Sequence, residues 1–251
     1  MNFEKKVVIV TGGSRGIGRA VVEKFSELGA NLIINYNNSE NEAKKVLKSV
    51  VKGRFGYPSA IIIKGDVSSH EDRWAIIREA TDMFKKIDIL VNNAAIYIPQ
   101  AFGKIDRETF YNHVECNYEG PFFLSREVAK IMKKQGGGVI INVASDAGLK
   151  PCSRHGIVYG STKRALIHLT EAMAVELGQH NIRVNAVAPG YTDTDMAGFA
   201  DKPKRREKAK ECNPLKKICS PEDIANAIVF LASEDARMIT GVTLPVGHNL
   251  S

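Results

Sequence analysis

Lys6-Val7-Val8-Ile9-Val10-Thr11-Gly12-Gly13-Ser14-Arg15-Gly16-Ile17-Gly18 opens as a β-branched run, passes through a cluster of glycines and continues with Val21, Val22, Phe25 and Leu28 at helical spacing. The stretch reads as strand, glycine turn and helix. Glycines let a backbone approach a pyrophosphate closely, and the N–H groups at a helix start attract the anion. Gly12, Ser14, Arg15, Gly16, Ile17 and Gly18 are therefore the candidate lining of a dinucleotide site, although their spacing differs from the G-x-G-x-x-G fingerprint.

Outward from that turn, strand and helix alternate. Asn31 to Asn35 is a second strand, and Glu40 to Lys52 a helix. The second strand ends in Tyr36, Asn37, Asn38 and Ser39 rather than in an acidic residue. An acid there binds the ribose diol of NAD and repels a 2′-phosphate, so a neutral end with Arg15 nearby predicts NADP(H) over NAD(H). Asn35, Asn38 and Ser39 join the candidate cofactor residues. Asn38 and Ser39 serve equally well as turn and N-cap residues.

Ala60 to Lys64 is the third strand, followed by Gly65-Asp66-Val67-Ser68 and a helix marked by Trp74, Ile77 and Phe84. Ile87 to Asn93, Val139 to Val143, Arg183 to Ala188 and Val242 to Val246 continue the strands. Arg107 to Lys134, Tyr159 to Gly178 and Pro221 to Ala232 supply helices. This pattern predicts a single α/β domain over 1–251, a Rossmann-like doubly wound fold. Its seven-stranded parallel sheet would carry helices on both faces, with a substrate-covering loop and helix segment near 190–219. Ligands in such folds lie at the carboxyl ends of the strands, where Thr11, Asp66, Asn93, Ser145 and Pro189 fall.

Tyr159 and Lys163 stand one turn apart on a helix face. A phenol has a reference pKa of roughly 10, and a fixed cation beside it favours the phenolate, so the pair can exchange a proton with a carbonyl or alcohol oxygen. Ser145 ends the strand before this helix, where its hydroxyl can polarise that oxygen or cap a turn.

The chain has 251 residues, 44% of them hydrophobic, with no linker composition and no apolar run long enough to span a bilayer. Cytoplasmic localisation is expected. Cys116, Cys152, Cys212 and Cys219 lack metal-ligand spacing, and neither disulfide nor metal is expected. The net charge of +7 is spread rather than set on an aromatic platform, which argues against nucleic acid. Its strongest cluster, Lys202 to Lys210, reads as a solvated loop or surface helix, and as a surface for an acidic partner if it binds at all.

Over essentially its whole length the chain resembles the short-chain dehydrogenase/reductase family. The family's T-G-x-x-x-G-x-G stands at Thr11 to Gly18, its D-V at Asp66-Val67, its N-N-A-G at Asn92-Asn93-Ala94-Ala95, its Y-x-x-x-K at Tyr159 and Lys163, and its P-G-x-x-x-T at Pro189, Gly190 and Thr194. Its catalytic Asn and Ser match Asn117 and Ser145. The resemblance implies a tetrad. In it Tyr159 is the proton donor or acceptor, Ser145 orients the substrate oxygen, Lys163 holds the nicotinamide ribose, and Asn117 positions a water leading to Lys163. Asp66 and Val67 would contact adenine, Asn93 and Ala94 the adenosine side, and Pro189, Gly190, Thr192 and Thr194 the carboxamide and phosphate end. Asp193 and Asp195 read as cap residues.

Within the family, the Ser14-Arg15 turn, the Asn35-Tyr36 strand end and Pro189 to Met196 most resemble 3-oxoacyl-acyl-carrier-protein reductases. That implies reduction of an acyl thioester, an acyl carrier protein as partner and a homotetramer. Gly136-Gly137, His180, Ala95 and the Gly247-His248-Asn249 tail depart from that pattern. A sugar, polyol or small-ketone dehydrogenase, such as a glucose 1-dehydrogenase, is an alternative, and a non-catalytic NADP-binding regulatory protein is another of a different class. Substrate identity should lie in Lys150 to Val158, where Arg154 and His155 stand, and in Gly190 to Cys219.

Overall fold

Apolar runs that are buried on both faces pair in parallel, and here they form one sheet. The computed structural model describes residues 1–50, 60–151, 155–199 and 202–247. Its strands are β1 (Val7–Val10), β2 (Asn31–Tyr36), β3 (Ala60–Lys64), β4 (Ile89–Asn92), β5 (Gly138–Val143), β6 (Ile182–Pro189) and β7 (Thr243–Val246). All pair in parallel, in the order β3-β2-β1-β4-β5-β6-β7. The chain runs outward from β1 to β3 and then returns to place β4 against the other side of β1. That reversal opens a crevice at the carboxyl ends of β1 and β4.

Helices cover both faces, as the alternation of strand and helix requires. On one side lie α1 (Gly16–Glu27), α2 (Glu40–Val50) and α9 (Pro221–Ala232), which bury Val21, Phe25, Val46, Ile224 and Ile228 against the sheet. On the other lie α3 (His70–Phe84), α5 (Gly120–Gln135) and α7 (Ile157–Leu177), with Ile76, Leu124, Val128, Met132 and Leu177 inside. The remaining helices are α4 (Arg107–Val114), the short α6 (Asp146–Leu149) and α8 (Pro203–Cys212); a π turn, Glu115–Glu119, joins α4 to α5. The basic Lys202 to Lys210 cluster is thus a surface helix.

Two details depart from the sequence pattern. Trp74 lies on α3 but is 47% exposed, its indole donating to His70 Nε2 at 3.1 Å. Arg73 beside it is buried instead, because its guanidinium satisfies the Val67 and Ser68 carbonyls at 2.7 and 2.8 Å. The second detail is a polar chain through the apolar interior. Asn92 and Asn142 are direct partners in β4 and β5; Asn92 Nδ2 donates to Asn142 Oδ1 and to Ser125 Oγ, each at 2.9 Å. Asn142 Nδ2 in turn donates to Thr170 Oγ1 on α7 at 2.9 Å.

Candidate active site

The loops at the carboxyl ends of the strands are tied to one another by side chains whose backbone partners are close. After β1 the chain turns at Gly12, whose φ of +62° disfavours any residue with a Cβ. Thr11 Oγ1 accepts from the N–H groups of Asn93 and Ala94, each at 3.0 Å, and Asn93 Nδ2 donates to the carbonyls of Thr11 and Gly12 at 2.9 and 3.1 Å. A Cβ on Gly18 would collide with the Gly12 carbonyl oxygen, so turn and helix pack at glycine distance. Asn35 is 1% exposed; its amide donates to Gly65 O at 2.8 Å and its Oδ1 accepts from Gly12 N at 3.3 Å. Its side chain is therefore committed to holding the glycine turn against the β3 end.

The glycine turn suits a diphosphate. The first N–H groups of a helix lack intrahelical partners, and Arg15, at the N-cap of α1, makes no side-chain bond to them. No acidic residue stands in that first turn. Arg15 is exposed, lines the cavity and forms no ion pair among the described residues. At the β3 end, the Asp66 carboxylate accepts from Asn37 Nδ2 at 2.7 Å and from Ser68 N and Oγ at 2.9 and 2.7 Å. Ser39 holds the N-cap position of α2, its carbonyl accepting from Ala43 N at 3.0 Å.

The chemical groups meet across β5, α6 and α7. Ser145 is the N-cap of α6; its Oγ accepts from Ala147 N at 3.2 Å and lies 3.5 Å from Asp146 Oδ1. Gly148 and Gly160 let α6 and α7 touch, since a Cβ on Gly160 would stand 2.9 Å from the Ala147 carbonyl oxygen. Ser145 is thereby brought to the turn of α7 that carries Tyr159. Lys163 is 2% exposed, with its Nζ 5.7 Å from the Tyr159 ring centroid. Nζ donates to the Val143 carbonyl at 2.7 Å. Burial lowers its pKa to about 8. Burial likewise pushes the Cys116 thiol up to about 11, against the pull of Lys163.

One cavity of about 1310 Å³ joins these parts. It is lined by Gly12, Ser14, Arg15, Gly16, Ile17, Gly18, Asn35, Asn38, Ser39, Asp66, Val67, Asn93, Ala94, Ser145, Tyr159, Lys163, Pro189, Gly190, Thr192 and Thr194. Asn117 stands behind the wall, fully buried, with both ends of its amide bonded to the Ile96 backbone. Asp193 is not a cap: its carboxylate holds Arg206 of α8 through bonds of 2.8 and 2.7 Å, which keep the acid below the usual carboxylate range. Arg154, Cys152 and the tail residues His248 and Asn249 lie outside the described residues. Sequence reasoning missed Tyr97, Cys116 and Arg205, which also line the cavity.

Known proteins resemble this chain over nearly its whole length. Residues 12–248 match the sequence model of a family described as enoyl-(acyl carrier protein) reductase. A 3alpha-hydroxysteroid dehydrogenase of Mediterraneibacter gnavus is 42% identical over 251 residues, covering 98% of this chain and 97% of that protein. A 3-oxoacyl-[acyl-carrier-protein] reductase of Aquifex aeolicus is 34% identical over 250 residues, covering 100% and 99%. Among solved structures, a 7 alpha-hydroxysteroid dehydrogenase complexed with NADH and 7-oxo glycochenodeoxycholic acid superposes with a TM-score of 0.91 at 33% identity, covering 98% of this chain and 94% of that one.

Proposed function

This chain belongs to the short-chain dehydrogenase/reductase family of oxidoreductases, and we propose that it interconverts a carbonyl and a secondary alcohol with NADP(H), using Tyr159 as proton donor and acceptor. The observation that carries this reading is the Lys163 ammonium, buried 5.7 Å from the Tyr159 ring in the same cavity as the glycine turn. The bound nicotinamide would supply or accept the hydride. Against the substrate oxygen, Tyr159 moves the proton and the Ser145 hydroxyl donates a hydrogen bond. The ammonium of Lys163 stabilises negative charge that develops there. The carbonyl of Val143 fixes that ammonium, so little reorganisation accompanies the transfer. Asn117 acts from behind by fixing Ile96, and by resemblance it would also position a water leading to Lys163.

Gly12 to Gly18 and the N-terminus of α1 would hold the diphosphate, with Asp66, Val67, Asn93 and Ala94 on the adenosine side. Pro189, Gly190, Thr192 and Thr194 would lie at the other end. The neutral end of β2 and the exposed Arg15 support NADP(H) over NAD(H). For the substrate, Ile96, Tyr97, Ile98, Leu149, Ile157 and Met196 in the wall favour an apolar carbonyl compound over a sugar or polyol. We take a 3-oxoacyl thioester as the first reading, with the basic α8 offered to an acidic carrier protein. A hydroxysteroid is the second, favoured by the same apolar wall and by the relative of 42% identity. Exposed Phe110, Tyr111 and Phe122 on α4 and α5, with Val175 on α7, support assembly into a homotetramer through those helices. No helix among the described residues is long and apolar enough to cross a membrane, and a cytoplasmic enzyme is the reading adopted.

The test is absorbance of the reduced nicotinamide, with NADPH and NADH in parallel, against an acetoacetyl thioester, a 3-oxosteroid, D-glucose and a small-ketone panel. Turnover of the thioester or the steroid with NADPH is expected. Turnover confined to sugars would discard both apolar substrates, and cofactor binding without any turnover would favour the regulatory reading.

A further inference from the structure

The cavity wall that faces Tyr159 is an irregular segment after β4, with no strand ladder to satisfy its backbone. A segment of that kind must find other partners for its N–H and C=O groups. On one stripe of α4 and the π turn that extends it, His113 and Asn117, 1% and 0% exposed, supply them to two residues of the wall; Thr109 of the same stripe, 7% exposed, meets the Gln100 side chain, while Gln100 N donates to His155 O at 3.0 Å. Asn117 accepts from Ile96 N at 2.9 Å and donates to Ile96 O at 3.0 Å. One turn back, His113 Nε2 accepts from Ile98 N at 3.1 Å. A further turn back, Thr109 Oγ1 accepts from Gln100 Nε2 at 3.1 Å. Every second residue of the wall meets every fourth residue of the helix. Two residues of extended chain rise about 6.6 Å and four residues of helix about 6 Å, so the two spacings match.

Between the first two rungs stands Tyr97. Its ring meets the Tyr159 ring edge-on, with centroids 5.1 Å apart and planes at 71°. The rung on its far side depends on one tautomer of His113. His113 Nδ1 lies 2.8 Å from the Thr109 carbonyl, which only accepts, so Nδ1 carries the proton and Nε2 is left to accept from Ile98. The start of α4 is fixed in turn by Asp106, whose carboxylate accepts from Thr109 N at 2.7 Å.

We propose that this ladder sets the position of Tyr97 against Tyr159, making His113 a positioning residue for the tyrosine that moves the proton and Tyr97 the surface through which it acts. The proposal rests on the reading of Tyr159 given above. His113 is not among the residues that line the cavity. Its effect passes through Ile98 and Tyr97.

Two measurements test it. Amide hydrogen exchange reads the ladder without any substrate. His113→Leu is expected to speed exchange across residues 96–100, whereas His113→Gln, whose side-chain oxygen can still accept from Ile98 N, speeds it less. Equal exchange in His113→Leu and the native protein overturns the proposal. Steady-state kinetics with NADPH and an acetoacetyl thioester, or a 3-oxosteroid if only that turns over, reads the consequence. His113→Leu and Tyr97→Ala should each lower kcat roughly 10- to 100-fold, with NADPH affinity changed by less than about threefold. The double variant should match the worse single one, because the two act in series. Tyr97→Phe and His113→Gln should each exceed their disruptive counterparts in kcat. Independent, multiplicative losses, or no loss, overturn the coupling. Tyr159→Phe separates the levels: if it stays active the reading of Tyr159 fails, and if it is inactive while Tyr97→Ala is unimpaired only the ladder proposal fails. Should His113→Leu not fold, the Tyr97 pair and His113→Gln still decide.

Discussion

Lys163 Nζ donates to the Val143 carbonyl at 2.7 Å, so a helix residue fastens the end of β5 from beneath the candidate proton donor. Burial of that ammonium lowers its pKa to about 8 from 10.5. Between those values the unfolded chain binds the proton that the folded one has released. Stability from this group therefore rises with pH across the window. We expect the native protein to gain stability relative to Lys163→Met as pH rises from about 8 towards 10.5, with a limit of about 3 kcal/mol. Urea titrations at pH 7, 8.5 and 10 check this, and a gap that is constant with pH would contradict it.

Tyr159→Phe removes the hydroxyl and keeps the ring that packs on Tyr97. Turnover should fall by roughly 10²- to 10⁴-fold while NADPH affinity stays within about threefold. Fluorescence titration of the cofactor beside the kinetic assay separates the two effects.

Arg15→Ala should raise the dissociation constant for NADPH by about 10- to 100-fold, as expected for loss of charge-assisted bonds to a phosphate. NADH should change by less than about threefold. Equal losses for the two cofactors would remove Arg15 from the 2′-phosphate.

The Asp193–Arg206 pair has side chains 46% and 38% exposed and docks α8 on the segment after β6. Asp193→Asn is expected to cost less than about 1 kcal/mol of global stability. It should nevertheless speed tryptic cleavage within Lys202 to Lys210, because the tether is local. Unchanged cleavage would show that α8 is held by its other contacts.

The sheet was legible because strands buried on both faces write themselves as apolar runs, and the glycine turn because its glycines stand between a strand and a helix; the order of the strands was not. The Tyr159 and Lys163 spacing was legible because helical periodicity alone brings the two together. Other features left no such trace. The helix α6 spans four residues, too few for a period, so the sequence offered Ser145 a turn to cap but no helix. Trp74 marked the apolar side of the α3 pattern and nothing marked Arg73, because a carbonyl cluster that needs a guanidinium leaves no signal of its own. Thr109, His113 and Asn117 recur at i, i+4 and i+8, but polar residues at helical spacing ordinarily mark a solvated face. Only the Asn was singled out, and that through the resemblance.

The amide pair of Asn92 and Asn142 bears on how the chain finds its arrangement at all. A parallel sheet of valines and isoleucines is nearly indifferent to sliding, since one branched residue replaces another at each step. Two carboxamides in the middle strands abolish that indifference. A shift of β4 along β5 by a residue would break their mutual bond and leave one Asn92 N–H and the Asn142 Oδ1 buried without that partner, a penalty of roughly 1–3 kcal/mol for each. Alternative alignments are thus rejected by polar mismatch rather than by poorer greasy contact. Replacing both with leucines should leave a protein that resists denaturant comparably but reaches its native alignment by a slower and more heterogeneous route.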